Sequence, residues 1–358
     1  MGMSKVLVGM SGGVDSAVAA YMLKMAGYEV IGITLKTWIG ADGKESRCCE
    51  IEDAEMAAQA IGIPYYVENC VAEFKEKVTE PFIREYIKGR TPNPCVGCNR
   101  DIKWEHMLKA ADRFGAEYIA TGHYACVKKH ENGRYTVKNA EHPEKDQTYM
   151  LYKLTQEQLS RTLMPLGAFS KEEVRNIAEK AGIPVAHKAD SQDICFVPDD
   201  DHVSFIEENA TEKLPEEGNF VDETGKILGK HKGIVNYTIG QRKGLGLPLG
   251  YPAYVKRIDP EKNEVVISDD EALYGKVVYC SDLNFMGIEG PGISEKVNCL
   301  VKIRYHHKAG KAVIERTDDD RVKIVFEEAV RAAAPGQSAV FYDGEGCVLG
   351  GGVIDGTD

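Results

Sequence analysis

Eight residues near the N-terminus, Gly9-Met10-Ser11-Gly12-Gly13-Val14-Asp15-Ser16, constrain this chain more than any other stretch. An apolar run, Val6-Leu7-Val8, precedes them and reads as a buried strand. Behind them Val18, Met22 and Met25, with Ala19, Leu23 and Ala26, fall at helical spacing over residues 16–26, and Gly27 stands where a helix ends. A strand, a Ser/Gly loop and a helix in that order leave backbone N–H groups at a helix start, where an anion binds. The hydroxyls of Ser11 and Ser16 add donors, and Asp15 is placed to hold a magnesium ion. Serines and glycines also make plain strand-to-helix turns, so the loop by itself predicts a phosphate site and no reaction.

Residues 30–35 form a second buried strand. Strand, helix and strand within about thirty residues require a right-handed crossover and a parallel sheet. Ligands of such sheets bind beyond the carboxyl ends of the strands, which puts the backbone of Leu35 beside an adenine. Residues 50–61 read as a helix, 64–67 as a third strand and 72–88 as a helix interrupted near Pro81. Pro92 and Pro94 argue against helix across residues 89–101, so Cys95-x-x-Cys98 is expected on a stiff loop. Helix resumes over 101–114. A fourth strand, 117–123, runs into Gly122-His123 at the edge facing the nucleotide. Residues 150–163 read as largely helical, and Ser170 with Glu173 forms a capping box opening a helix that Gly182 closes.

Past Pro198 the texture changes. The run Asp199-Asp200-Asp201 marks a boundary, and short alternating segments follow at 218–221, 226–229 and 231–243, then strands at 254–258 and 264–268 joined by a turn. From about residue 277 strands recur at the spacing of a small β-barrel, as at 297–303, 312–317, 322–326 and 338–342. The expected architecture is α/β: a parallel sheet flanked by helices over 1–205, a small mostly-β central domain over 206–276, and a C-terminal β-barrel over 277–358.

With 358 residues, two or three domains with substantial cores are affordable. No run of about 18 apolar residues exists, so no membrane span is expected. No secretory segment is visible either, and the cytoplasm is the default compartment. A net charge of −12 argues against a nonspecific nucleic-acid coat but permits a local basic face whose binding is salt-sensitive. Ten cysteines in such a chain are expected as thiols. Cys70, Cys126, Cys280, Cys299 and Cys347 lie in or beside apolar runs, as core residues do. The Cys48-Cys49 pair reads as a loop incident, with a metal or redox site as the alternative. Cys195 instead sits in a polar, acidic loop, where a reactive thiol is expected. Cys95-x-x-Cys98 without a second Cys/His pair is a poor zinc knuckle.

The loop at Gly9–Ser16 matches the SGG-x-D-S signature of the PP-loop ATP pyrophosphatases and lacks the Lys-Ser/Thr pair of the Walker type. With GRTPNP-x-x-x-CN (89–99), ATGHY (120–124), KDQ-x-Y (145–149), DSQDICF (190–196), GQRKGLG (240–246), Arg304-Tyr305 and PGQSAVFY (335–342), the chain resembles the tRNA 2-thiouridylase family nearly end to end. The resemblance implies ATP over Gly9, Met10, Ser11, Gly12, Gly13, Val14, Asp15 and Ser16, with Leu35 and Gly122 at the adenosine. It implies a target uridine adenylated at O2, and sulfur from a Cys195 persulfide displacing AMP with help from Cys98, through a Cys98–Cys195 disulfide. By the same mapping Asn93, Pro94 and Cys95 meet the flipped base, and His123, Lys145, Asp146, Gln147, Arg304, Tyr305 and Gln337 contact the tRNA. The partners so implied are the tRNA anticodon region and a sulfur-donor protein or sulfide, with a monomer acting on each tRNA. One position departs from the family pattern: Cys95 stands where an aspartate is usual. Cys95, Cys98 and Cys195 then make a three-thiol set that can hold a [4Fe–4S] cluster with one iron open to hydrosulfide. A small-molecule synthetase using the same ATP chemistry, and a noncatalytic sulfur carrier, explain fewer of these motifs.

Overall fold

The computed structural model describes residues 3–40, 50–188 and 194–358. The chain divides into two compact units. Residues 1–78, 95–200 and 345–349 make the first, and residues 79–94, 201–344 and 350–358 the second.

The strands of the first unit are β1 (Lys5–Gly9), β2 (Glu29–Lys36), β3 (Tyr65–Asn69), β4 (Tyr118–Ala120), β5 (Ala125–Lys129), β6 (Tyr135–Asn139) and β7 (Thr162–Leu163). Five of them form a sheet in the order β3-β2-β1-β4-β7, with every neighbouring pair parallel. Val6, Leu7 and Val8 of β1 are fully buried, as expected of a central strand covered on both faces. The helix Val14–Met25 follows β1 and packs through Val14, Ala17, Val18 and Ala20. Ala54, Ala57 and Ala58 of the helix Ile51–Ile61 join the same core. β2 lies on one side of β1 and β4 on the other, so the loop leaving β1 stands where the strand order reverses. That is the switch point at which open parallel sheets bind ligands.

Two expectations need correction. The prolines do not exclude helix across residues 89–101: Pro94–Cys98 is helical and continues as a π-helical turn, Asn99–Trp104, into the helix Glu105–Phe114. Pro94 occupies the first helical position, where its missing N–H costs nothing. Residues 150–163 are only partly helical, with the helix Gln156–Ser160 giving way to β7. The antiparallel hairpin β5–β6 was not foreseen. The interruption expected near Pro81 is a π-helical turn, Lys75–Thr79, between the helices Val71–Phe74 and Glu80–Ile87. The capping box is present, with the Ser170 hydroxyl accepting from Glu173 N at 3.2 Å and the Ser170 N–H donating to Glu173 Oε2 at 2.8 Å.

In the second unit β8 (Gly218–Val221), β9 (Ile227–His231), β10 (Tyr254–Asp259) and β11 (Glu264–Ser268) form a sheet in the order β10-β11-β8-β9. It closes over Phe220, Ile234, Tyr237, Val255 and Val265. The strands β12 (Tyr274–Phe285), β13 (Lys296–Lys302), β14 (Gly310–Asp318), β15 (Arg321–Arg331), β16 (Ser338–Tyr342) and β17 (Val348–Thr357) form a closed barrel in the order β12-β15-β14-β13-β16-β17. Alternation fills its interior: Val322, Ile324 and Phe326 of β15 are buried, while Arg321 and Val325 are exposed. Closure leaves no unpaired edge. Cys280 and Cys299 are core residues here. Burial pushes the Cys299 thiol up to about 12 and that of Cys280 higher still.

Candidate active site

The loop after β1 is held by its own serines. Ser16 Oγ accepts from Ser11 N at 3.1 Å and donates to Gly13 O at 3.1 Å, while Gly13 N donates to Ser11 Oγ at 3.4 Å. Gly13 is the residue preceding the helix Val14–Met25 and offers no side-chain cap. The N–H groups of the first turn therefore remain available to an anion. Gly12 has φ +81°, and a Cβ there would lie 2.6 Å from Glu50 O, so the loop conformation requires glycine.

Beneath the loop lies a cavity of about 260 Å³ in the first unit. Gly9, Met10, Ser11, Asp15 and Ser16 form one wall, with Ile33, Leu35 and Thr37 from β2 and the residue after it. Thr121, Gly122 and His123, after β4, face them, with Gln147, and Lys103 and Met107 of the helical run complete the lining. Gly122 is the tightest point: a Cβ there would stand 2.6 Å from Asp15 C and from Ser16 N. The expected residues Gly9, Met10, Ser11, Asp15, Ser16, Leu35, Gly122, His123 and Gln147 are thus brought together. Gly12, Gly13 and Val14 do not line the cavity. Val14 packs into the core instead, and Gly12 faces the start of the helix Ile51–Ile61.

Asp15 is already engaged. Lys171 Nζ donates to its two oxygens at 2.7 and 2.8 Å, and the Tyr124 hydroxyl donates to Oδ1 at 2.8 Å. A magnesium ion needs carboxylate oxygens open to it, so Asp15 as arranged here does not fit a resident magnesium ligand. Lys188 ties the far side of the loop, reaching Gly12 O at 3.5 Å and pairing with Glu50 and Asp53. Desolvation opposes its charge, but hydrogen bonds to Asp53 and Glu50 hold its pKa above the usual lysine value.

His123 Nδ1 lies 2.9 Å from Thr121 Oγ1. Desolvation, and to a lesser degree the Lys103 charge, push His123 down to about 3, so the imidazole is neutral at working pH. The unfolded chain takes up this proton below about pH 6.5, so the contribution to stability is present above that pH and is lost progressively as pH falls toward 3. His123→Gln is expected to flatten the acid side of the stability profile by up to about 2 kcal/mol between pH 7 and pH 5. Urea midpoints at the two pH values measure it, and equal slopes in both proteins would refute the assignment.

Gln147 Oε1 accepts from Tyr124 N at 2.9 Å. Asp146 is buried and binds Ala140 N at 3.1 Å and the Thr148 hydroxyl at 2.7 Å, which fixes the turn between Lys145 and Gln147. In the second unit Gln337 Nε2 donates to Thr91 O at 2.8 Å, and Thr91 N donates to Pro335 O at 2.8 Å, so this turn anchors the segment leading to Asn93 and Pro94. Arg304 donates to the Ala332 and Ile239 carbonyls, and the Tyr305 ring stacks edge-on against His306.

Cys95 and Cys98 lie at i and i+3 of one helical stretch, Cys95 half-buried and Cys98 buried, so they share a face. Cys195 is half-buried. Its neighbour Phe196 packs against Phe74 and Trp38 with centroids at 5.5 and 6.4 Å, anchoring the end of the loop. Neither the Cys48-Cys49 pair nor residues 190–193 of DSQDICF lie within the described residues. Among the described residues the group with single-ion ligand spacing is Glu68, Cys70 and His106. There the Glu68 carboxylate is engaged by His106 and Arg113. Burial, then Glu68 and Glu73, push the Cys70 thiol up to about 12, which leaves it protonated. The cavity residues that sequence reasoning missed are Ile33, Thr37, Lys103, Met107 and Thr121, together with Lys171 behind Asp15. Ile33 and Thr37 flank the expected Leu35, and Thr121 lies inside ATGHY. Lys103 falls within the helix expected over 101–114, and no local motif marks it as a lining residue.

The sequence matches three family models in tandem: a tRNA methyl transferase HUP domain over residues 4–199, a tRNA methyl transferase PRC-barrel domain over 203–269, and an aminomethyltransferase β-barrel domain over 276–354. It is 50% identical to the tRNA-specific 2-thiouridylase MnmA of Lachnoclostridium phytofermentans, with 98% of this chain and 99% of that protein covered. Identity to the Clostridioides difficile protein of the same name is 50%, covering 98% of each chain. Identity to that of Acetivibrio thermocellus is 51%, covering 99% of this chain and all of the other. Among the described residues no helix is long and apolar enough to cross a membrane. With identity of this order running through both units, the chain belongs to the tRNA-specific 2-thiouridylase family.

Proposed function

We propose that this protein thiolates the wobble uridine of tRNA at C2, spending one ATP per base, as a tRNA-uridine 2-sulfurtransferase of the cytoplasm. The observation that carries the reading is the cavity itself: the Gly9–Ser16 loop, Leu35 and Gly122 surround one space in the same compact unit that holds Cys98 and Cys195. ATP binds there with its phosphates against the Ser11 and Ser16 hydroxyls and the helix start. Magnesium arrives with the nucleotide, since Asp15 is committed to Lys171.

Uridine O2 attacks the α-phosphorus, the bond to the β-phosphate bridging oxygen breaks, and pyrophosphate leaves. The adenylated base now carries a good leaving group at C2. The terminal sulfur of a Cys195 persulfide attacks C2 and expels AMP. Cys98 thiolate then attacks Cys195 sulfur, releasing 2-thiouridine and leaving a Cys98–Cys195 disulfide for an external thiol to reduce. Asn93, Pro94 and Cys95 meet the extruded base. His123, Lys145, Gln147, Arg304, Tyr305 and Gln337 contact the RNA, and Asp146 holds the turn that presents two of them. One monomer serves each tRNA. Cys95, Cys98 and Cys195 offer the donor set for a [4Fe–4S] cluster, whose open iron would supply hydrosulfide in place of the persulfide.

The test is nucleoside mass spectrometry on unmodified tRNA incubated anaerobically with the protein, ATP and magnesium, with either sulfide or a persulfide donor. 2-Thiouridine is expected only when ATP and tRNA are both present. Pyrophosphate release driven by an amino acid or a free nucleotide, with tRNA inert, would instead make the protein a small-molecule synthetase. Cys95→Asp separates the sulfur routes. Activity with the persulfide donor should survive the change within about threefold, whereas a cluster route loses a ligand and its iron.

A further inference from the structure

We infer that the loop at 240–253 in the second unit is an RNA-binding surface, with Arg242 and Lys243 on backbone phosphates of the tRNA and Tyr251 stacked on an unpaired base. This rests on tRNA being the substrate, as proposed above, and gives a role to GQRKGLG (240–246), which the proposed chemistry leaves without one. The chain carries a net charge of −12, so a polyanion must be met by a local concentration of cations. Residues 226–256 hold Lys226, Lys230, Lys232, Arg242, Lys243 and Lys256, and no aspartate or glutamate. Lys256 is paired with Glu223. Arg242 and Lys243 are exposed and form no ion pair with a described residue. Two adjacent cations without a counter-charge suit a polyanion, and arginine in addition matches phosphate with two parallel donors.

The loop holds these side chains on a fixed frame. Gly240 N donates to Val255 O at 2.8 Å, and Val255 N donates to Gln241 O at 3.0 Å. The Gln241 side chain accepts from Thr238 N at 2.9 Å and donates to Lys243 O at 3.1 Å. Gly244 (φ +79°) and Gly246 (φ +66°) turn the chain on either side of Leu245, which is buried in the core of the central sheet. Arg242 and Tyr251 line one hollow of about 640 Å³, and the Tyr251 ring is 58% exposed. A cation beside an exposed aromatic ring is the pairing that grips phosphate and base together. The loop also adjoins a proposed RNA contact. Arg304 Nη2 donates to Ile239 O at 3.5 Å, and a Cβ on Gly240 would lie 3.5 Å from that same nitrogen.

Fluorescence anisotropy of unmodified tRNA with the full chain, between about 50 and 200 mM KCl, tests this. Replacing both cations, Arg242→Ala with Lys243→Ala, is expected to weaken binding about 10- to 100-fold at the lower salt. The plot of log Kd against log salt should become shallower by about 1.5 to 2. Tyr251→Ala should weaken binding about 5- to 50-fold with the slope unchanged, and Tyr251→Phe should restore it. All three positions are exposed, so thermal unfolding should match wild type throughout. Wild-type affinity and slope in the double variant would overturn the assignment, even if delivery from a sulfur-donor protein were lost. Wild-type affinity in Tyr251→Ala would overturn the stacking. If the wild-type chain itself does not bind tRNA at the lower salt, the proposed substrate falls and the assignment of the loop with it.

Discussion

Gly122→Ala is expected to reduce ATP affinity at least about 100-fold, by moving one carbon atom into the floor of the cavity. The added Cβ would lie 2.6 Å from Asp15 C, 2.6 Å from Ser16 N and 2.9 Å from Asp15 O. All three are backbone atoms at the start of the helix Val14–Met25, so no side-chain rotation relieves the clash. Either the helix start or the strand end must shift, and the N–H groups proposed to meet phosphate belong to that helix start. Overpacking of this kind also costs about 1–3 kcal/mol of stability. Two other glycines grade the effect. A Cβ at Gly9 would meet the Met107 side chain, with its sulfur at 2.9 Å, and methionine yields readily, so Gly9→Ala should weaken binding by less than about tenfold. A Cβ at Gly97 has nothing within 4 Å, and Gly97→Ala should bind ATP as wild type does. Calorimetry with ATP in the absence of tRNA checks the series. Binding by Gly122→Ala within threefold of wild type would show that strand end and helix start are not in contact as described.

The order of these three glycines was not readable from the chain, although the loop was. β1 was legible because a central strand is buried on both faces and writes itself as an unbroken apolar run, Val6-Leu7-Val8. The Ser170/Glu173 capping box was legible because its partners lie three residues apart and the motif is local. The pairing of Asp15 with Lys171 spans 156 residues, and no local pattern announces it. It decides the magnesium question all the same. The helix at Pro94–Cys98 was misread for a different reason. Proline breaks helices everywhere except their first turn, and only the fold decides which turn a given proline occupies. The hairpin β5–β6 carried a signal that went unused: Asn132-Gly133 is a turn dipeptide, and Gly133 has φ +82°. Its strands carry Lys128, Lys129 and Lys138, which masked the alternation. The closed barrel was legible as a class, from strand spacing, while β12 and β17, which bring the barrel around on itself, were not picked out.

Serine in place of Cys195 or of Cys98 is expected to abolish 2-thiouridine formation, by at least about 1000-fold, while leaving tRNA-dependent pyrophosphate release within about fivefold. The split follows from where the residues sit. Neither cysteine lines the cavity that holds the Gly9–Ser16 loop, so adenylation of the base loses no contact. Sulfur transfer loses its carrier in one variant and its resolving thiol in the other, because a serine hydroxyl neither stores a persulfide nor attacks one. Cys195→Ser should therefore stop at the adenylated tRNA, with radiolabel from the α-phosphate of ATP accumulating on the RNA, whereas Cys98→Ser should release AMP once and stop with the RNA joined to Cys195 through a disulfide. The two differ under gentle sulfur loading: Cys98→Ser should still take up one labelled sulfur on Cys195, released by reductant, and Cys195→Ser should take up none there. Cys95→Ser then reads the third thiol. It lies on the same helical face as Cys98, three residues away, yet the persulfide route gives it no sulfur to carry, so thiolation should persist. If Cys95→Ser is instead as inactive as the other two and all three variants lose iron together, the cysteines act as ligands of one cluster and the persulfide chemistry is wrong.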